Sequence, residues 1–384
     1  MLIENILSKI KEITECTIRN EAAEVDNNAQ WPEKSMRLLQ QERLTGLVVP
    51  SENGGLGQGL LGLAKACETI GKASGSVALC FGMHCVGSAV IAAKATQKHK
   101  NDFLEPIAQG QHLTTIALSE PGTGAHFYIP QTQLLSLSEN EFLINGAKTF
   151  ITNGGYCNSY VVTTVGVELD ASIHQFSCVV IDGSTEGLEW GQKWNGLGMR
   201  GNSSRSLKLK NVKITADNLL GEKGDQLWYV FQVVAPYFLT AMAGTYLGIA
   251  QAAFEEAKQH LVNRSHTHTG FTLGQIPMLQ HKLGTLWAKI ERTRQLIYFS
   301  CLEMDKGGEN AFLSVLSAKA EVAHCVVEVV NEAMTLMGGI AYRENSRLDM
   351  LLRDARAAHV MAPTTDFLYT WIGRAILDQP ILND

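Results

Sequence analysis

The period of the apolar residues changes twice along this 384-residue chain, and that change constrains the fold more than any other feature. Apolar residues recur at helical spacing through roughly the first hundred positions, and short alternating or β-branched runs follow. From Trp228 almost to the end, long stretches return to the helical period. This order predicts an N-terminal helical domain (1–113), a central β domain (114–226) and a C-terminal helical bundle (227–384).

The central domain is predicted to be a small antiparallel β-barrel or sandwich. Its expected strands cover 114–118, 134–137, 142–144, 159–165, 176–181 and 206–212. Asn145-Gly146 and Asp182-Gly183 are turn signals between these runs. The C-terminal domain is predicted to be a four-helix bundle with helices over 231–264, 278–306 and 311–337. A final helix is expected over 358–377, with Pro363 as an alternative start.

Composition excludes several classes of protein. The formal net charge of -6 gives no basic surface for nucleic acid. No apolar run reaches the length of about 20 residues that a membrane span needs, and residues 1–10 lack the features of a signal peptide. The eight cysteines stand at irregular spacings without a C-x-x-C pair, which indicates neither a disulfide framework nor a metal site. These features favour a cytoplasmic protein.

Several sequence motifs point to one family. In chain order they are Ala117-Leu-Ser-Glu-Pro-Gly-Thr-Gly124, Lys148-Thr-Phe-Ile-Thr-Asn-Gly154, Gly196-Leu-Gly-Met-Arg-Gly201, Leu247-Gly-Ile-Ala-Gln-Ala-Ala253, Met337-Gly-Gly-Ile-Ala-Tyr342 and Leu352-Arg-Asp-Ala-Arg356. Together they resemble the acyl-CoA dehydrogenase family across nearly the whole chain. The resemblance implies a three-part fold, FAD as cofactor, and transfer of hydride from an acyl thioester to flavin N5.

The resemblance also implies where the flavin ring binds. It assigns Leu118 and Ser119 to the pyrimidine end of the ring, and Phe150, Ile151 and Thr152 to N5 and the ring face. Phe150 stands where the family usually has tryptophan. Hydroxyl and backbone N–H groups position and tune such a ring, whereas the redox chemistry belongs to the cofactor. The alternative for Ser119 and Thr152 is a purely structural role at the ends of strands.

Further cofactor contacts are implied by three other segments. Gly124 closes the first motif. In the family, the segment that contains Thr335, Gly338 and Gly339 approaches the FAD of a neighbouring subunit, and glycine permits close approach because it has no Cβ. Positions equivalent to Thr364 and Asp366 contact FAD in relatives. Contacts between subunits imply an oligomer, and the family pattern is a homotetramer.

The sequence departs from the family at the catalytic base. In relatives a glutamate takes the α-proton of the thioester while the β-hydride passes to the flavin. Ala362 occupies the usual position of that glutamate, and Phe238 occupies the alternate position used by some relatives. The arginine that the family has beside the alternate position is Leu239. Neither alanine nor phenylalanine accepts a proton.

The substrate side of the expected site also differs from the family. Ala125-His126 replaces a Ser-Asp pair that helps to hold the CoA arm. His126, His84 and Tyr237 are the remaining candidates for a relocated base, although a lone histidine is as readily a packing residue.

Three functions from different classes are consistent with this sequence. The first is an FAD-dependent dehydrogenase of CoA or carrier-protein thioesters that has a non-standard base and passes electrons to an electron-transfer flavoprotein. The second is a monooxygenase for another small molecule that uses reduced flavin from a flavin reductase and needs no α-proton base. The third is a weakly active or non-catalytic partner subunit.

Overall fold

The computed structural model describes residues 2–166, 176–268 and 270–382. The N-terminal domain comprises α1 (Ile3–Ile13), α2 (Arg19–Asn28), α3 (Glu33–Gln41), α4 (Leu60–Gly71), α5 (Gly75–Ala93), α6 (Gln97–His99) and α7 (Glu105–Ala108). Helix α5 is apolar on all faces and is buried over nearly its full length, so it forms the centre of this domain. The Ser74 hydroxyl caps it by accepting the Val77 N–H.

The middle domain is one eight-stranded sheet. Its strands are β1 (Thr114–Ala117), β2 (Gln133–Ser136), β3 (Glu141–Ile151), β4 (Ser159–Gly166), β5 (Phe176–Asp182), β6 (Leu188–Trp190), β7 (Arg205–Thr215) and β8 (Leu219–Leu220). The order is β6-β7-β3-β2-β4-β5-β8, with β1 on β4. Pairing is antiparallel except that β1 and β2 both run parallel to β4. A parallel pair cannot be closed by a hairpin, and long connections join these strands.

The C-terminal domain is helical. Helix α8 (Gln226–Tyr229) continues through a π-helical turn (Val230–Val234) into α9 (Ala235–Asn263), and α10 (Pro277–Lys306), α11 (Ala311–Met337), α12 (Arg347–Val360) and α13 (Thr365–Ile376) follow. Pro236 has no N–H to donate to the preceding turn, which explains the wider turn at this point. The predicted three-part order of helical, β and helical domains is confirmed.

The predicted terminal helix over 358–377 is two helices. Helix α12 ends at Val360, residues 361–364 form a non-helical turn, and α13 begins at Thr365. Pro363 cannot donate the backbone hydrogen bond that would continue α12. The residue at the family's usual base position, Ala362, therefore lies in a turn.

Two helical stretches have the length and composition of membrane spans. They are α5 and the continuous stretch from Gln226 to Asn263, and 89% of the apolar window of each is buried inside the fold. Burial on this scale identifies them as core helices.

Candidate active site

The candidate site is a cavity of about 750 Å³ between the middle domain and the helices of the two flanking domains. Its wall combines residues from α5, the β1–β2 connection, the end of β3, the segment before β7, the start of α9 and the α12–α13 turn. The lining residues are Leu79, Met83, Ile116, Leu118, Ser119, Glu120, Pro121, Gly122, Gly124, Ala125, Phe127, Thr149, Phe150, Thr152, Trp194, Gly198, Met199, Asn202, Ser204, Val234, Ala235, Phe238, Ala357, Val360, Met361, Ala362, Pro363 and Thr364.

A buried ion pair joins the first two motifs of the sequence. The Lys148 ammonium lies 2.5 Å from the Glu120 carboxylate, and neither side chain is more than 3% exposed. Lys148 also donates to the Thr163 carbonyl (2.7 Å), and Glu120 accepts the N–H groups of Gln131 and Thr132. Burial lowers the pKa of Lys148 to about 8, and the nearby Glu120 carboxylate opposes that shift. Both side chains are fully engaged in holding the β1–β2 connection against β3.

The end of β3 presents an aromatic ring to the cavity. The β3–β7 register shifts between Lys148 and Ile151, and Phe150 adopts a left-handed backbone with φ of 54°. Such a conformation is unusual for a bulky residue. The Phe150 side chain is 65% exposed, and its ring meets Trp194 edge to face at 6.1 Å. The shift therefore turns an aromatic face outward instead of into the sheet.

A tight loop supports the wall next to Phe150. A Cβ on Gly198 would lie 2.3 Å from the Arg353 carbonyl, so only glycine lets the loop approach α12 this closely. The N–H of Met199 donates to the Asp354 carboxylate at 2.6 Å. Burial raises the pKa of Asp354 to about 7, while the bond from Met199 acts in the opposite direction. The third and sixth motifs of the sequence are thus bonded to each other beneath the cavity.

The α12–α13 turn supplies four consecutive wall residues, 361–364. The Thr364 hydroxyl accepts the Phe367 N–H at 3.4 Å and caps α13. Ala362 presents only a methyl group, and its neighbours Met361 and Pro363 are also apolar. Phe238, near the start of α9, also lines the cavity.

Glu120 is the one ionisable side chain in the described wall of the cavity, and Lys148 and backbone donors already satisfy it. All other lining residues are apolar, aromatic, glycine, hydroxyl or amide residues. In the described residues, the cavity wall therefore contains no carboxylate or imidazole apart from Glu120, whose carboxylate already accepts three hydrogen bonds.

The structure brings half of the sequence-predicted site residues together in this wall. They are Leu118, Ser119, Gly124, Ala125, Phe150, Thr152, Phe238, Ala362 and Thr364. The other predicted residues lie outside the wall: Ile151 and Leu239 are fully buried, and Tyr237 is half-buried with its pKa raised by burial to about 12.

The two histidine candidates lie outside the described wall of the cavity. His84 is fully buried, accepts the Thr114 N–H at Nδ1 (3.1 Å) and contacts the Thr45 carbonyl at Nε2 (3.0 Å). These partners suit a neutral ring, and burial lowers its pKa to about 4. The half-buried ring of His126 packs edge-on against Tyr128 and Phe367. His84 therefore has the contacts of a packing residue.

The residues predicted to approach a second subunit lie at the surface. Thr335 is exposed on α11, and its hydroxyl donates to the Asn331 carbonyl at 3.0 Å. Gly338 and Gly339 are exposed, and a Cβ on either would meet no atom within 4 Å. Asp366 is exposed in the first turn of α13.

The other wall residues were not predicted from the sequence, and they fall into two groups. Leu79, Met83 and Val234 are apolar residues of helices, and period alone does not distinguish a cavity wall from a core. Thr149 and Gly198 stand inside motifs that carry the family resemblance, so the sequence held a signal from which both could have been predicted.

The fold and the site define a class of protein: three domains with a large, mostly apolar cavity between them, as in enzymes that hold a cofactor and a small substrate. The family models for the acyl-CoA dehydrogenase N-terminal, middle and C-terminal domains match residues 3–111, 115–212 and 228–377. The chain belongs to the acyl-CoA dehydrogenase family.

Individual proteins are similar to this chain in sequence or in fold. The chain is 24% identical to a short-chain-specific acyl-CoA dehydrogenase of Clostridium acetobutylicum, with 94% of each chain covered. Its fold is similar to butyryl-CoA dehydrogenase from Megasphaera elsdenii, with a TM-score of 0.92, 24% identity and 98% of each chain covered. It is also similar in fold to a structure of PigA with FAD and proline, with a TM-score of 0.88, 17% identity and 97% of each chain covered.

Proposed function

We propose that this protein is an FAD-dependent oxidoreductase that dehydrogenates an acyl thioester between Cα and Cβ, without a carboxylate base at either position that the family uses. One observation carries the proposal. A large cavity lies between the domains, and Ala362 and Phe238 line it at the two positions where the resemblance leads us to expect a glutamate.

The residues of the cavity wall fit a flavin. Two buried polar atoms of wall residues, Thr149 Oγ1 and Trp194 Nε1, have no hydrogen-bond partner in the described structure. Gly122 and Gly124 have left-handed backbones with open space where a Cβ would be, which leaves room for a ligand against the main chain. The exposed Phe150 ring offers an aromatic surface for a planar ring. A bound flavin would supply the acceptor for the β-hydride.

The chain's own residues would hold and enclose the ligands. In this proposal Leu118 and Ser119 lie at the pyrimidine end of the ring, and Phe150 and Thr152 lie against its face. The Thr152 hydroxyl is 3.2 Å from the Ser204 hydroxyl, so the two orient each other. The apolar side chains of α5 and α9 would exclude water from the acyl group.

The distal part of FAD would be held between subunits. Thr335, Gly338, Gly339, Thr364 and Asp366 are the residues proposed for this contact, in a homotetramer. The open space above Gly338 and Gly339 supports close approach by another chain. We also propose a cytoplasmic location and an electron-transfer flavoprotein as the electron acceptor.

Proton removal is the step for which this chain is unusual. A general base must come within hydrogen-bond reach of the α-proton. Ala362 and Phe238 have no acceptor, and the Glu120 carboxylate is held by Lys148. The α-proton would therefore pass to a basic group of the substrate itself, and thioesters with an acidic α-proton would react best.

The test is anaerobic titration of the FAD-loaded protein with a panel of CoA and carrier-protein thioesters. Bleaching of the flavin absorbance, with formation of the α,β-unsaturated product, is the expected result. If no thioester bleaches the flavin, dehydrogenation is refuted. Oxygen-dependent product formation with a flavin reductase would identify a monooxygenase instead. A colourless protein that rejects added FAD would indicate a non-catalytic subunit.

A further inference from the structure

A buried lysine lies directly behind the turn that forms one wall of the cavity. Lys319, on α11, is 0% exposed. Its ammonium donates to the carbonyls of Ala358 (2.8 Å) and Pro363 (3.1 Å), and it lies 3.5 Å from that of Met361. Within the described part of the chain, no carboxylate forms an ion pair with it. Burying an ammonium without a counter-charge costs folding free energy. Burial accordingly lowers the pKa of Lys319 to about 8.

The three carbonyls that Lys319 contacts need donors for a local reason. The last carbonyls of any helix lack intrahelical partners. Beyond α12 the backbone leaves the helical conformation, with ψ of 121° at Met361 and 160° at Thr364, and Pro363 brings no N–H. Because no described main-chain N–H donates to the carbonyls of Ala358, Met361 or Pro363, the lysine supplies the donors. Its positive charge also lies at the negative end of the α12 dipole.

The same turn contributes Met361, Ala362, Pro363 and Thr364 to the cavity wall. The main-chain hydrogen bonds of this turn run only to its own flanking helices, from the Met361 N–H to the Ala357 carbonyl and from the Leu368 N–H to the Thr364 carbonyl. Among the described residues none joins one end of the turn to the other, so the turn alone would be free to shift. A glycine cap would also satisfy a helix end and would avoid burying a charge. A glycine cap, however, would not reach across to Pro363 and fix the far side of the turn.

We propose that Lys319 is a positioning residue for the cavity: its ammonium fixes the 361–364 turn, and thereby the shape of the wall that this turn forms, through the backbone carbonyls on both sides of Ala362.

The proposal is tested with Lys319→Met, which keeps most of the volume and removes every donor. Hydrogen–deuterium exchange of the protein without ligand reports the turn directly and does not depend on which molecule the cavity binds. Because the bonds to a charged donor are lost, amides of residues 361–368 should exchange at least about 10-fold faster. Amides of the buried part of α9 should keep their rates. Affinity for FAD should fall by about 10-fold in the same variant.

Two further variants separate positioning from general stability. Lys319→Arg retains donors and charge, so it should recover part of the protection and of the FAD affinity. Lys282→Met is the matched control: Lys282 joins α10 to Glu332 on α11 at 3.1 Å, but its side chain is 38% exposed and lies outside the cavity. It should change neither readout.

Unchanged exchange of residues 361–368 in Lys319→Met would overturn the proposal. An equal acceleration in α9 would also overturn it, because it would indicate general loosening. If Lys319→Met does not fold, Lys319→Gln gives the same readouts. Its shorter amide does not reach all three carbonyls, so selective acceleration in residues 361–368 is again expected.

Discussion

Breaking the buried ion pair between the first two motifs should destabilise the middle domain strongly. Lys148→Met replaces a side chain of similar length but removes the ammonium that contacts Glu120 at 2.5 Å and the Thr163 carbonyl at 2.7 Å. Glu120 would then remain buried with only the backbone donors of Gln131 and Thr132. Removing one member of a buried pair costs about 3–5 kcal/mol, because the remaining charge is uncompensated.

The assay is urea denaturation followed by tryptophan fluorescence at neutral pH, with the free energy taken from the first unfolding transition. Lys210→Met is the control on the same sheet. Lys210 pairs with Glu189 at 2.7 Å, but the two side chains are 60% and 52% exposed, so its loss should cost at most about 1 kcal/mol. Adding Glu120→Gln to Lys148→Met should restore part of the stability. The reasoning is refuted if Lys148→Met costs no more than the control, or if the double variant is less stable still.

Three other outcomes are expected. Burial lowers the pKa of His84 and His112 to about 4. The folded protein is therefore most stable above their ordinary pKa of 6.5, where both rings are neutral, and it loses stability as the pH falls towards 4. Urea denaturation between pH 7 and 4 should show a loss of up to about 3 kcal/mol for each, and a flat profile would contradict the assignment. Gly198→Ala places a Cβ 2.3 Å from the Arg353 carbonyl and should lower both the melting temperature and FAD affinity, whereas an unchanged melting temperature would argue against this close contact. Phe150→Ala should weaken FAD binding by about 10-fold in a fluorescence titration with little effect on stability, because its ring is 65% exposed; unchanged binding would remove Phe150 from the cofactor site.

The architecture could be predicted from sequence because each domain has its own apolar period. The predicted helix over 311–337 coincides with α11, and six of the eight strands overlap predicted runs. Strands β6 and β8 have three and two residues, which is too short for alternation to be detected. The parallel pairing of β1 and β2 with β4 depends on long-range connection, which local pattern does not encode.

The candidate site was predictable only where residues carry a motif. Ser119 and Thr152 stand in such blocks, and both lie in the cavity wall. Met83 and Val234 also lie there, but they are ordinary apolar helix residues in sequence terms. The role of Lys319 could not be predicted from the sequence, because a lysine on an amphipathic helix is normally exposed. Its ammonium is buried here because the break between α12 and α13 leaves backbone carbonyls that need a donor.

The most direct test of the central claim is the rate of anaerobic flavin reduction by a thioester in the wild-type protein and in Ala362→Glu, measured side by side. Because a positioned general base contributes about 10²–10⁴-fold, the account predicts acceleration in that range when the carboxylate is restored. A wild-type protein that already reduces its flavin as fast as Ala362→Glu would contradict it, since a proton acceptor would then be present in a cavity that we describe as having none free.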